Sequence, residues 1–272
     1  MNRLTRFYKA RLPGAVTLGL VWMQTSLFPA RHYRRVAAVM RKLNRPKAVL
    51  GGPFVGMRYT QAPDKAFLAR LFGTYELETY PAIERLITFD PDVVAVAGAG
   101  EGYFAVGMAL RLPRARVHAF EIWKWARYLL GRTIRTNGVG DRVEMHGLCT
   151  PPELSRVLEG ARRAAVICDI EGGEREVLDP VKAPGLRSAA MLVELHPMIV
   201  DGIDGLLRER FAATHDIATM TLGARTVSDA PALVRERISA DDIVWATDEI
   251  KVRGVGQDWM LLMPRGRALN AS

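Results

Sequence analysis

Apolar and polar positions alternate along this chain in a regular order, clearest between residues 93 and 112. The run Val93-Val-Ala-Val-Ala97 is apolar without interruption, as expected of a strand buried on both faces. Gly98, Gly100 and Gly102 follow at alternate positions, where a side chain would keep a ligand away from the backbone. Phe104, Val106, Met108, Ala109 and Leu112 then share one face at helical spacing. Strand, glycine turn and helix predict the first unit of a doubly wound sheet, with a ligand at the carboxyl end of the strand.

The alternation continues downstream. Strands are predicted over 117–121, 143–148, 164–170, 189–195, 215–222 and 259–263, and helices over 103–112, 123–135, 151–158, 174–178 and 203–211. Pro151 opens the third of these helices, where its missing N–H costs nothing. The succession predicts an α/β protein with a doubly wound, Rossmann-like, mostly parallel sheet over residues 89–272. Residues 223–256 are polar and irregular and are expected to form an insertion or lid.

Residues 1–88 are expected to form a helical N-terminal extension or cover. Residues 1–11 are basic and 12–30 uncharged and moderately apolar, the pattern of a signal anchor. Pro13, Gly14, Gly19, Gln24, Ser26 and Pro29 dilute that stretch below what a spanning helix needs. A peripheral amphipathic element, or a helical cover over the active site, is expected instead. Residues 31–43 predict a basic amphipathic helix with Val36, Val39, Met40 and Leu43 on its apolar side. Residues 51–59 predict a short hairpin or extended segment, and 64–86 a helical stretch broken around Gly73.

Net charge is +9, with a pI near 9.9. Basic residues run along the whole chain without the aromatic interleaving of an RNA-recognition surface, so a solvated basic surface is expected and nucleic acid is not. Any membrane association is expected to be peripheral, and the sequence does not set an oligomeric state. Cys149 and Cys168 are the two cysteines. They form no metal-binding spacing and demand no oxidising compartment, which predicts a cytoplasmic protein.

The dinucleotide fingerprint needs a third glycine at position 103, which Tyr103 occupies. The Gly-x-Gly-x-Gly spacing found instead is similar to that of S-adenosylmethionine-dependent methyltransferases, whose cofactor has no pyrophosphate to seat. Glu121 closes the second predicted strand, nineteen residues after Gly102, where a carboxylate can accept both ribose hydroxyls of an adenosine. Dehydrogenases use the same device, so Glu121 alone indicates only adenosine. Cys149 ends the third strand near the same edge.

The fourth predicted strand ends in Asp169-Ile-Glu171-Gly-Gly-Glu174, and the fifth in Glu194-Leu-His196-Pro197. Neighbouring strands would bring Asp169, Glu171, Glu194 and His196 together beside the cofactor loop, a functional-site signature. Packing alternatives are a helix cap for either acid at 169 or 171 and a satisfied edge histidine at 196. His196 suits the role of general base, with Asp169 or Glu171 orienting it or bonding the acceptor, and Glu194 facing the substrate. No metal is expected, because the spacing is not a recognised ligand pattern. A divalent ion that lowers the acceptor's pKa is the alternative use of the same cluster.

Residues 169–174 resemble the Asp-(Val/Ile)-Glu-Gly-x-Glu signature of FkbM-type methyltransferases, a class I S-adenosylmethionine-dependent group. Residues 98–103 and Glu121 match that group's first two motifs. Gly73-Thr-Tyr75-Glu76 resembles the segment such enzymes place against the cofactor. The likeness runs from Gly73 to Phe211. It implies S-adenosylmethionine as cofactor, bound by Tyr75, Glu76, Gly98, Gly100, Glu101, Gly102, Glu121, Cys149 and Asp169. It also implies methyl transfer to a hydroxyl of a sugar, glycan or small metabolite. Where many class I methyltransferases carry an acid two residues before the first glycine, this chain has Val96, and Glu101 is the nearby acid that can stand in. The alternatives are a non-catalytic, nucleotide-binding relative of the same fold and a nicotinamide-dependent oxidoreductase, which Tyr103 disfavours.

Overall fold

The structure is a computed structural model and describes residues 30–59, 66–248 and 258–266. Its centre is a seven-stranded sheet of β1 (Val93–Ala97), β2 (Arg116–Phe120), β3 (Val143–His146), β4 (Ala164–Cys168), β5 (Ala190–Glu194), β6 (His215–Thr221) and β7 (Asp258–Pro264). The order is β3-β2-β1-β4-β5-β7-β6. The first five strands in that order run parallel, and β7 lies antiparallel to both β5 and β6. The chain reverses direction across the sheet between β1 and β4, which is where a doubly wound sheet binds its ligand.

The central strands are buried on both faces, as their apolar runs require: every residue of β4 and of β5 is buried. Side chains alternate between two cores. Val94, Val96, Ala165, Ile167, Ala190, Leu192, Trp259 and Leu261 face one, while Ala95, Ala97, Val166, Cys168, Met191, Val193, Met260 and Leu262 face the other.

Ten helices of the described residues cover these faces: α1 (Ala30–Lys42), α2 (Phe67–Phe72), α3 (Tyr80–Thr88), α4 (Tyr103–Arg111), α5 (Lys124–Asn137), α6 (Pro151–Leu158), α7 (Glu174–Val177), α8 (Ile203–Phe211), α9 (Ala232–Arg237) and α10 (Ala240–Thr247). The first core takes Val36 and Val39 of α1, Leu71 and Phe72 of α2, Ile83 of α3, Val106 of α4 and Leu130 of α5. The second takes Leu154 of α6, Val177 of α7 and Leu207 of α8. Residues 30–88 thus share a core with one face of the sheet where they are described. A single antiparallel bridge, Ala48 to Arg58, closes the turns of 51–56.

One expectation is corrected. The stretch after β6 is not irregular: it carries α9 and α10, with Val234, Ile238, Ile243 and Ala246 in the first core. Helices of six and eight residues offer one or two apolar turns each, too few to show a period in a polar segment. Arg35 of α1 ties this segment down, with Nε 2.7 Å from Asp242 Oδ1 and its guanidinium 4.3 Å from the Trp245 ring centroid. Residues 12–29, the basis for the anchor or cover expectation, lie outside the described residues. Among the described residues no helix is long and apolar enough to cross a membrane.

Strand register sets the height of the ligand edge. Ala97 pairs with Phe120 and with Cys168, and Cys168 with Val193. Gly98, Glu121, Asp169 and Glu194 therefore leave the sheet at one level.

Candidate functional site

The β1–α4 loop carries the three glycines for different reasons. Gly98 has φ +79°, and a Cβ there would stand 1.7 Å from the carbonyl oxygen of Asp169. Its role is to let β1 and the end of β4 meet, not to admit a ligand. Gly100 has φ +51°, and a Cβ there would meet nothing within 4 Å. Of the three glycines expected to face the ligand, Gly100 borders open space, whereas the position of a Cβ on Gly102 is closed by Leu130.

Glu121 follows β2 directly and is buried. Its Oε2 accepts the Gly100 N–H at 2.9 Å and its Oε1 the Trp123 N–H at 2.8 Å. Burial pushes its pKa up, opposed by those two backbone donors and the charge of Arg127. Each carboxylate oxygen retains a lone pair beyond the backbone bond it accepts. The carboxylate is held at the mouth of the loop with capacity for further donors.

Above the loop, Arg70 of α2 gathers the residues expected there. Its guanidinium lies 4.7 Å from the Tyr75 ring centroid, 3.8 Å from Glu101 Oε2 and 3.3 Å from the Tyr59 hydroxyl. Tyr75 packs edge-on against Tyr103 at 5.5 Å. Glu76 is fully buried in a left-handed conformation, φ +51°, and its Oε2 accepts the Trp259 indole N–H at 2.8 Å. Glu76 thereby fastens the segment before α3 to β7. Arg70 was not singled out from the sequence, because nothing in its own helix marks it. Only its proximity to Glu101, brought about by the fold, does so.

The second group sits at the ends of β4 and β5. His196 is fully enclosed, and its Nδ1 lies 2.8 Å from Glu174 Oε1. Its Nε2 points at three further acids: Asp169 Oδ1 at 3.7 Å, Glu171 Oε2 at 3.6 Å and Glu194 Oε2 at 3.6 Å. The four residues expected to converge do so. Burial favours loss of the imidazolium proton. The Glu174 hydrogen bond and the charges of Asp169 and Glu171 outweigh it and raise the pKa of His196 above its ordinary value.

The loop between the two acids is under strain. Glu171 takes φ +52°, a conformation non-glycine residues adopt at a cost of order 1 kcal/mol. Gly172 beside it donates its N–H to Glu174 Oε1 at 3.2 Å. Glu174 had no role assigned from the sequence beyond opening a helix. Its signal was its place as the last acid of the 169–174 motif.

Cys149 is placed in the second core with Phe120 and Leu154, and burial pushes its thiol up to about 12. Its side chain contributes packing beneath the loop.

The strand order, with an antiparallel seventh strand between the fifth and sixth, and the acid-bearing ligand edge define the class I methyltransferase fold. No family model matches the chain, and no curated protein does either. Among solved structures, a precorrin-6y C5,15-methyltransferase from Geobacter metallireducens is similar at 10% identity and TM-score 0.46. The match covers 69% of this chain and 87% of that one. The O-methyltransferase TomG from Streptomyces achromogenes, solved with S-adenosylmethionine, is similar at 16% identity and TM-score 0.41, over 89% and 95%. A precorrin-8w decarboxylase from Methanobacterium thermoautotrophicum is similar at 21% identity and TM-score 0.43, over 69% and 89%. Likenesses this distant pass no activity to this chain.

Proposed function

We propose that this chain is an S-adenosylmethionine-dependent methyltransferase of FkbM type that methylates a hydroxyl of a sugar, glycan or small metabolite. The observation that carries the reading is Glu121, held by the Gly100 N–H at 2.9 Å over a loop with open space at Gly100. The Asp169–Glu174 signature supports the finer assignment.

When bound, S-adenosylmethionine supplies an electrophilic methyl group on a sulfonium. The chain's own residues do the rest. Glu121 accepts the ribose hydroxyls. Arg70 pairs with the carboxylate of the methionine part, a charge-assisted contact its fork geometry suits. Tyr75 and Tyr103 form an apolar wall that excludes water. Positioning of this kind supplies most of the acceleration in an in-line displacement.

The acceptor's hydroxyl proton goes to the cluster at the ends of β4 and β5. His196 has no solvent-exposed side-chain surface, whereas the Asp169 and Glu171 side chains are 22% and 51% exposed. Those two carboxylates therefore meet the acceptor directly, and His196 stands behind them. Calorimetric titration with S-adenosylhomocysteine and with NAD tests the reading. Heat from the former alone supports it, and heat from NAD alone overturns it.

A further inference from the structure

Helix α5 has two sides with different uses. Leu130 and Ile134 pack its inner side into the first core. Trp125, Tyr128, Arg132 and Arg135 recur at helical spacing on the opposite side, and all four are exposed. Trp125 and Tyr128 are 53% and 52% exposed, and their rings stack with centroids 5.2 Å apart and 20° between the planes. The Arg132 guanidinium stands 6.0 Å from the Tyr128 ring centroid. Met145 of β3, also exposed, borders the same helix: its Cε lies 3.5 Å from where a Cβ on Gly131 would stand.

The charge of this face has one sign. Lys124, Arg127, Arg132 and Arg135 are the cations of α5, and the helix contains no acid. Lys124 is its first residue, where a positive charge opposes the helix dipole, so helix stability does not account for it. No carboxylate of the described residues pairs with Lys124, Arg132 or Arg135. Half-exposed aromatic rings flanked by unpaired cations on one helix face are the composition of an interfacial helix. There the rings enter the headgroup layer and the cations meet phosphate.

We infer that the outer face of α5 docks on an anionic phospholipid surface. Trp125 and Tyr128 lie in its headgroup layer, and Lys124, Arg132 and Arg135 lie against its phosphates. Charge complementarity selects this occupant. Residues 1–29 are basic and contain no acid, and a second copy of a chain with net charge +9 would bring the same cations to the face. A single-stranded nucleic acid needs open ring faces on which bases stack, whereas these two rings each cover one face of the other. A single helix face also offers no groove for a strand to follow.

The inference does not depend on the methyl-transfer reading, because it uses none of the residues assigned there. The two meet in space all the same. The Trp123 N–H, just ahead of α5, donates to Glu121 Oε1 at 2.8 Å, so the docking helix starts at the ligand edge of the sheet.

The experiment is co-sedimentation of the full chain with vesicles of phosphatidylcholine alone and of phosphatidylcholine with about one-third phosphatidylserine. Binding to the anionic vesicles only, falling as salt is raised, is expected. The pair Arg132→Glu and Arg135→Glu should weaken partitioning by about tenfold or more. The pair Trp125→Ala and Tyr128→Ala should weaken it by about tenfold with every charge kept. These side chains are exposed, and circular dichroism checks that each variant is folded. Arg187→Glu is the control, an exposed cation beside Leu186 of the second core and so on the far side of the sheet. It should change partitioning little. No binding to anionic vesicles overturns the inference, as does binding that survives both pairs. A loss for Arg187→Glu as large as for the arginine pair, with none for the aromatic pair, would mean attraction by net charge and not by this face. Binding of a single-stranded oligonucleotide that the same pairs abolish, without vesicle binding, would assign the face to nucleic acid and overturn the lipid reading.

Discussion

Glu121 Oε2 and the Gly100 N–H are 2.9 Å apart, so the acid that closes β2 is fastened to the middle of the β1–α4 loop. A carboxylate held in this way needs little reorganisation to accept two ribose hydroxyls. Each such charge-assisted bond is worth ~1.5–3 kcal/mol. Glu121→Ala should weaken S-adenosylhomocysteine binding by more than about tenfold in calorimetry, with circular dichroism confirming the fold. An unchanged dissociation constant would remove Glu121 from the site.

The glycines of the loop separate by substitution. Gly98→Ala drives a methyl group to 1.7 Å from the Asp169 carbonyl oxygen, so β1 and β4 must part. Gly100→Ala meets open space and carries only the left-handed strain of about 1–2 kcal/mol. Thermal melts should show the larger loss for Gly98→Ala. Bulkier replacements at Gly100 should block the cofactor while the protein stays folded. Equal melting temperatures for the two alanine variants would refute this division of roles.

Arg70 is assigned to the carboxylate end of the cofactor, which adenosine lacks. Arg70→Gln should therefore weaken S-adenosylhomocysteine by about tenfold and leave adenosine affinity nearly unaltered. Equal losses for both ligands would mean that Arg70 acts through the packing of Tyr75 and not through its charge.

Glu78 provides a test of acid stability away from the site. It accepts from both terminal nitrogens of Arg225, at 2.9 Å for the second, and from the Gly223 N–H at 2.7 Å. Burial raises its pKa, but the Arg225 and Gly223 hydrogen bonds outweigh burial and lower it below the ordinary value. The group thus contributes stability that is present above the unfolded pKa of about 4.3. It is lost as pH falls through the folded value. Glu78→Gln should be less stable than the parent near neutrality, with the gap narrowing below about pH 4. A gap that stays constant with pH would show that the ionised pair contributes nothing.

Much of this molecule was legible in one dimension because its strands are buried on both faces. Val93–Ala97, Ala164–Cys168 and Ala190–Glu194 can only be continuous apolar runs, and a run that ends in an acid announces the ligand edge. Glu121, Asp169 and Glu194 were placed at that edge because period and chain order fix where a strand stops. Helices α9 and α10 were hidden, since two short helices in a polar stretch earn their stability from tertiary packing and not from a visible repeat. The pairings were hidden too. Arg70 lies 3.8 Å from Glu101, Trp259 bonds Glu76, and Glu174 holds Nδ1 of His196. Each joins residues far apart in the chain, and contact across such separations is decided by how the sheet and its helices pack. Gly98 is the sharpest instance. Its glycine pattern was visible, but whether a ligand or the backbone of Asp169 occupied the missing side chain's space was settled only by the register of β4 on β1.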